Sequence, residues 1–243
     1  MDRLDASAIA LPGVEVRVLE RCASTNMLIE ERLARPVLLA AEEQTAGRGR
    51  RGRRWHSPAG AGITFSLGLR VARPARELAG LSLVAGVAVA RALRTLGAQV
   101  SLKWPNDLVM GDAKLGGILV ETRDSFAVIG IGLNNRRVPG LEEKLGRRVA
   151  FLGMADRNRV IQRVGECLIE ALRAFEENGL AAVRGDWIAM DAHAGRRLRV
   201  RLADGRMLTG IADGLAEDGA LRLATRRGVR AVHSGRVVSS RAA

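Results

Sequence analysis

The sequence predicts an α+β fold: a mixed sheet with helices in a large N-terminal part, followed by a small β-barrel. Three observations predict it. Apolar and β-branched runs of strand length are interleaved with stretches of helical periodicity up to about residue 190. Beyond Asp191-Ala192-His193-Ala194-Gly195 the pattern changes to five short alternating strands, a density that suits a small barrel. Polar and cationic residues collect where several of the earlier strands end.

Taken in order, Val14 to Leu19 reads as a strand, and Ser24-Thr25-Asn26 opens a helix-like run to Leu33. Val37 to Ala41 and Gly62 to Leu69 read as two further strands. Leu78 to Gly97 is Ala/Val/Leu-rich, with Leu81, Ala85, Ala88, Ala92 and Leu96 near helical spacing and a terminal Gly. Strands follow near 98 to 103, 115 to 122 and 126 to 134. A helix over Arg159 to Glu177 lines up Val160, Val164, Leu168, Leu172 and Phe175 on one face, and a shorter one spans Leu180 to Met190. The last strands are Leu198 to Leu202, Met207 to Ala212, Ala220 to Leu223, Val229 to Val232 and Arg236 to Ser239, punctuated by Asp204-Gly205, Asp213-Gly214 and Asp218-Gly219. The expected units are therefore residues 1–192 and 193–243.

A chain of 243 residues can bury one large core or a large and a small one. It has no run of about eighteen apolar residues, and Met1 to Asp5 lacks a signal pattern, so the expectation is a soluble cytoplasmic protein without a membrane segment. Cys22 and Cys167 lie far apart and His56, His193 and His233 are scattered, which argues against a disulfide, a zinc site or a Cys/His nucleophile. The net charge is +13, and residues 193 to 243 hold eleven Arg against four acids. That excess favours an acidic partner: a carrier domain, nucleotide phosphates, or a nucleic acid bound without sequence preference. Only Lys103, Lys114 and Lys144 are lysines, in a chain that otherwise uses Arg for positive charge. Lys103 and Lys114 look like positions that need a compact ammonium rather than a planar fork, whereas Lys144 reads as an exposed residue of a polar stretch.

Gly47-Arg48-Gly49-Arg50-Arg51-Gly52-Arg53-Arg54-Trp55 is the densest of the polar clusters. Guanidinium groups match phosphate or carboxylate oxygens, and the glycines let backbone approach a ligand. An adenine nucleotide or a nucleic acid would fit, and a solvated charge run is the third reading. The loop lies between two strands of one core, unlike an unstructured Arg/Gly tail. Its glycines and like charges predict disorder without ligand. Lys103-Trp104-Pro105-Asn106-Asp107 ends another apolar run, Lys114-Leu115-Gly116-Gly117 enters a strand, and Gly130-Ile131-Gly132-Leu133-Asn134-Asn135 closes one.

Together these segments resemble the biotin protein ligase family, over most of residues 14 to 135 and more loosely beyond. The motifs are Ser24-Thr25-Asn26, Gln44 through Arg53 ending at Trp55, Lys103 through Asp107, and Lys114 through Glu121. The resemblance implies a catalytic domain of the class II aminoacyl-tRNA synthetase/biotin ligase type and an SH3-like C-terminal domain. It implies an enzyme that activates biotin with ATP to biotinyl-5′-AMP and transfers biotin to a lysine of a biotin carboxyl carrier protein of acetyl-CoA carboxylase or another biotin-dependent carboxylase. By the same resemblance Ser24, Thr25, Asn26, Gln44, Gly117 and Gly130 border biotin, and Arg48, Gly49, Arg50 and Lys114 hold its carboxylate and the new phosphate ester. Lys114, Arg48 and Arg50 would be catalytic. Arg51, Arg53, Lys103, Asn106 and Asn134 would face the nucleotide, with Trp55 against the adenine, and Asp107 would help to hold Mg²⁺.

Family members that bind DNA carry a winged helix-turn-helix ahead of the ligase domain. The motif at residue 24 leaves too little chain for one, so no sequence-specific DNA binding is expected. A homodimer is compatible with the resemblance. Arg236, in Ser234-Gly235-Arg236-Val237, stands where the family often has an acid. Two alternatives stay open at this point: a lipoate-type ligase with the same adenylation logic, and a non-enzymatic basic protein that binds nucleic acid.

Overall fold

The computed structural model describes residues 3–56 and 58–241. The first unit is a seven-stranded mixed sheet built from β1 (Glu15–Cys22), β2 (Val37–Gln44), β3 (Gly62–Arg70), β4 (Ser101–Lys103), β5 (Asp107–Met110), β6 (Ala113–Arg123) and β7 (Phe126–Asn134). Their spatial order is β1-β2-β3-β7-β6-β5-β4; β1 and β2 run parallel and every other pair is antiparallel.

Alternation in the central strands creates two unlike faces. Ile63, Phe65 and Leu67 of β3 and Ile129, Ile131 and Leu133 of β7 are large, apolar and buried. The intervening positions are small: Thr64 and Ser66 pair with Gly132 and Gly130, and Gly117 of β6 also pairs with Gly132. Because side chains alternate across a strand, the large set builds a core and the small set leaves a floor over which a ligand can lie.

The core is completed by three helices, α2 (Leu81–Thr95), α4 (Arg157–Asn178) and α5 (Ala181–Ala189); α2 packs on the other two and on the sheet. Burial of Val160, Ile161, Val164, Leu168, Leu172 and Phe175 forms one face of α4, each side chain stabilising by roughly 1.5–3 kcal/mol relative to exposure. Asp156 caps this helix by accepting from Arg159 N. With the 3₁₀ turn before it, the α2 helix is apolar enough over Ala75–Thr95 to cross a membrane by length and composition, a stretch the apolar-run reading passed over. Eleven of the fifteen α2 residues are buried in the core.

The second unit is a five-stranded antiparallel sheet of β8 (Arg197–Leu202), β9 (Met207–Leu215), β10 (Leu221–Thr225), β11 (Gly228–Val232) and β12 (Gly235–Arg241), ordered β11-β10-β9-β8-β12. It is fastened to the first. Leu102 exchanges backbone hydrogen bonds with Met190 and Ala192, which anchors the chain just before the second unit, and Trp104 Nε1 donates to Gly219 O at 3.2 Å. Gly219 lies against Leu83 and Leu180, where a Cβ would meet their methyls at 2.7 and 2.9 Å.

Local differences from the sequence reading have physical causes. The helix expected up to Leu33 is a four-residue α1 (Thr25–Leu28), because Ile29 turns to extended backbone and packs on Leu39, Phe126 and Val128. The short β5 and the helix α3 (Leu141–Leu145) carry too little periodicity to stand out. Asp213-Gly214 is not a connection; it lies inside β9 opposite a register shift, with Gly214 in the left-handed region at φ 72°.

Candidate active site

Two cavities open on the small-residue side of the first sheet, of about 350 and 470 Å³, sizes that suit small-molecule ligands. The inner one is lined by Ser24, Thr25, Asn26, Gln44, Gly117 and Gly130 from strand ends and α1, with Arg48, Gly49, Arg50, Trp55, Asn106 and Lys114 at its outer side. The outer one lies between the two units and is lined by Arg51, Lys103, Asp107, His193 and β12. Arg50, Arg53, Asn106, Lys114, Arg147 and Arg236 line both, so the two spaces meet at a cationic boundary.

The inner floor is a neutral hydrogen-bond network. Gln44 Oε1 accepts from Thr25 N at 2.8 Å, Thr25 Oγ1 and Ser66 Oγ lie 2.6 Å apart, and Ser66 Oγ donates to Asn26 Oδ1 at 2.6 Å. Asn26 Nδ2 in turn donates to Glu121 Oε2 at 2.9 Å. Ser24 heads α1 without a side-chain capping bond, so its hydroxyl is not spent on the helix end. Gly130 is required by contact: a Cβ there would stand 2.1 Å from Asn26 Oδ1. Ser66 and Glu121 fix Asn26, and Ser66, one alternating position within an ordinary strand, carried no motif of its own.

The arginine loop folds as a hairpin. Arg48 and Arg54 form an antiparallel bridge, Gly49 N donates to Arg53 O at 2.7 Å, and Trp55 N to Gly47 O at 2.8 Å. A Cβ on Gly47 would sit 2.6 Å from Trp55 O, so this approach needs glycine. These backbone bonds describe a closed turn of the loop. The guanidinium groups diverge: Arg48 pairs with Glu121 at 2.9 Å, Arg50 reaches Asn106 Oδ1 at 3.4 Å, and Arg51 donates to Ser234 Oγ at 3.3 Å across to the second unit.

Trp55 lines the inner cavity and not the outer one. Gly132 explains this, since its missing side chain leaves a slot filled by the indole: a Cβ would meet the ring at 2.5 Å. The buried Trp55 Nε1 has no hydrogen-bond partner. Asn134, on the same face of β7 as Gly130 and Gly132, lines neither cavity; its amide donates to Lys114 O at 3.2 Å and ties the ends of β6 and β7 together.

Lys114 Nζ donates to Asp107 Oδ1. Burial pushes the Lys114 pKa down and the Asp107 carboxylate opposes this. Lys103 is also held below its usual value, first by burial and then by Arg236, Arg147 and Arg53, against the pull of Asp107. Asp107 thus serves several cations. No group of three or more His, Cys, Asp or Glu that could hold a metal occurs among the described residues.

Among the lining residues that escaped the sequence reading are two from one segment, Lys144 and Arg147. Arg147, in the segment after α3, lines both cavities because its neighbours run beside β6: Lys114 N donates to Arg148 O and Ala150 N to Lys114 O. Lys144 lies exposed at the inner rim with His56. No motif marks them; only the fold brings residues 144 to 148 beside Lys114.

Comparison with known proteins connects this geometry to chemistry. Residues 18–134 match the biotin/lipoate A/B protein ligase family and residues 193–239 the biotin protein ligase C-terminal domain. The bifunctional ligase/repressor BirA of Escherichia coli (strain K12) is 39% identical over 228 residues, 88% of this chain and 70% of its own length. The biotin–[acetyl-CoA-carboxylase] ligase of Mycobacterium tuberculosis is 36% identical over 239 residues, 93% of this chain and 90% of its own. Among solved structures, biotin protein ligase from Aquifex aeolicus in complex with biotin and ATP superposes with a TM-score of 0.80 at 30% identity, covering 94% of this chain and 99% of that one.

Proposed function

Because the chain belongs to the biotin protein ligase family, we propose that it activates biotin with ATP and transfers it to a lysine of a biotin carboxyl carrier protein, using the two joined cavities as its two substrate sites. The observation that carries this reading is a cavity with a hydrogen-bonding floor of hydroxyl and amide side chains that meets a second, cationic cavity at Lys114 and Arg50. Biotin's ureido group is uncharged and offers donors and acceptors, which Ser24, Thr25, Asn26 and Gln44 complement. The triphosphate needs the charge gathered on Lys103, Arg51 and Arg53. In this reading the seven-stranded sheet and its helices are the synthetase-type catalytic domain of residues 1–192, and the five-stranded sheet is the SH3-like domain of residues 193–243.

In the first step a biotin carboxylate oxygen attacks the α-phosphorus; that O–P bond forms as the bond to the bridging oxygen breaks, and pyrophosphate leaves. Two anions must approach, so catalysis rests on preorganised positive charge. Lys114, at the boundary of both cavities and oriented by Asp107, stabilises the charge that develops, and Arg48 and Arg50 hold the carboxylate and the resulting ester. In the second step the carrier's lysine amine attacks the acyl carbon, AMP leaves, and the amine proton passes to solvent. Closure of the Arg loop excludes water from the mixed anhydride.

The oxygen donors beside Lys114 suit Mg²⁺, which is commonly bound through one or two carboxylates together with substrate phosphates. Asp107 would hold it, and the ion would neutralise phosphate charge. Biotin-dependent exchange of labelled pyrophosphate into ATP tests the assignment. No exchange above the biotin-free rate would refute it.

A further inference from the structure

The face of the C-terminal sheet beside the outer cavity carries charge that the two-step chemistry leaves unused. Along β8, Arg197, Arg199 and Arg201 are exposed while Leu198 and Val200 between them are buried. On neighbouring β12, Arg236 stands opposite Arg201 and Arg241 opposite Arg197. Like charges directly opposed across a ladder destabilise a sheet. Among the described residues none of these five arginines has a hydrogen bond or an ion pair with an acid. By contrast Arg196, Arg206 and Arg222 of the same unit pair with Asp112, Asp204 and Asp213. The sheet therefore holds a row of uncompensated guanidinium groups, repeating about every 6.7 Å along β8.

This row begins at the active site. Residues Gly235 to Ser240 of β12 line the outer cavity, and Arg236 lines the inner one as well. Any macromolecule seated on the row would stand at the mouth through which a lysine must enter. We infer that the β8–β12 face is the docking surface for an acidic protein domain, the carrier that presents this lysine; the inference rests on the biotin ligase reading above. Carboxylates flanking the target lysine would meet the arginine forks, which favour bidentate pairing. The face offers a single-stranded nucleic acid no stacking platform, because residues 193 to 243 contain no Phe, Tyr or Trp. Thr209 and Ser239 stand opposite Arg199 on the two flanking strands, small side chains that leave its fork accessible.

The test is steady-state transfer of biotin to a purified apo biotin carboxyl carrier domain, with biotin-dependent pyrophosphate exchange measured in parallel. The double variant Arg199→Glu/Arg201→Glu should raise the KM for the carrier about tenfold or more, and Arg199→Gln/Arg201→Gln by less. Exchange should be unchanged in both, since neither residue lines a cavity, and the KM effect should shrink with added salt. The control Arg226→Glu/Arg227→Glu makes the same charge change in the turn between β10 and β11, at the far edge of the sheet, and should leave the carrier KM unaltered. An unchanged carrier KM in the Arg199/Arg201 variants, or an equal rise in the control, overturns the proposal. So does loss of retention on RNA or duplex DNA with an unaltered carrier KM, which would give the face to nucleic acid. Absence of exchange in the parent protein would instead remove the biotin ligase reading, and this surface with it.

Discussion

The inner and outer cavities share a wall but are built on opposite principles. The inner one has a floor formed within a single sheet, where glycine and hydroxyl positions alternate with the core and Thr25, Asn26, Gln44 and Ser66 are tied to one another and to Glu121. The outer one is formed between two units, and its walls bring together cations from both, among them Arg51, Lys103, Arg148 and Arg196. Rigidity fixes a neutral ring by shape and hydrogen bonds, whereas long-range attraction gathers a flexible polyanion. Lys114 is the test of that division because it belongs to both spaces.

Lys114→Ala removes the shared charge, and adenylate formation should fall by about a thousandfold, the scale of losing one preorganised donor to developing charge. Biotin binding should weaken yet stay measurable by calorimetry. Near-normal pyrophosphate exchange in this variant would break the division at its centre. Gly130→Ala tests the inner wall alone. The added methyl would displace the Asn26 amide from Ser66 and Glu121, and biotin KM should rise about a hundredfold while ATP KM holds, the cost of roughly two buried hydrogen bonds. Equal changes in both KM values would mean that the inner network also shapes the outer cavity.

Those two residues also mark how far the sequence could be read. Lys114 and Asn26 sit in contiguous motifs, and the strand periods of β3, β6 and β7 were visible, so most of the inner cavity was legible. What the sequence hid was assembly across distance. Arg147 lines both cavities because the segment after α3 runs beside β6, and no local pattern encodes that pairing. Trp55 was readable as a ligand-facing aromatic but not as the ring that fills the slot over Gly132. Asn134 ends the strand face that carries Gly130 and Gly132, but its amide is taken up by Lys114 O, a pairing no motif shows. The outer cavity was the less legible, since a space between two units depends on how they dock.

That docking contains a buried titratable pair. Asp191, whose backbone bridges to Leu102, accepts from His193 N at 2.9 Å. Burial raises the Asp191 pKa from 3.8 to about 6, and burial, aided by Lys103 and Arg196, lowers that of His193 from 6.5 to about 4. As pH falls from about 6 to about 4, His193 stays neutral in the folded state but is protonated when unfolded, which costs stability. Asp191 takes up a proton when folded that the unfolded chain largely lacks, which adds stability. The two terms oppose one another. Asp191→Asn leaves only the first, so the variant should lose about 2 kcal/mol more than the parent across that window in urea titrations. Parallel stability–pH curves for the two proteins would refute this account of the joint between the units.

The smallest effect concerns the boundary itself. Arg50 is drawn inward to Asn106 while its neighbours Arg48 and Arg51 turn to Glu121 and Ser234, so it is the loop cation best placed to retain an acyl phosphate between the cavities. Burial lowers its pKa, and Asp107 offsets part of that. Arg50→Gly removes this hold without disturbing the neutral floor. Escape of adenylate should then rise about tenfold, roughly one charge-assisted hydrogen bond, and lysines of bystander proteins should become biotinylated. Labelling of serum albumin in mixed incubations measures it. Unchanged selectivity would place retention in the inner wall, and the two cavities would then differ in which substrate they collect but not in which of them guards the intermediate.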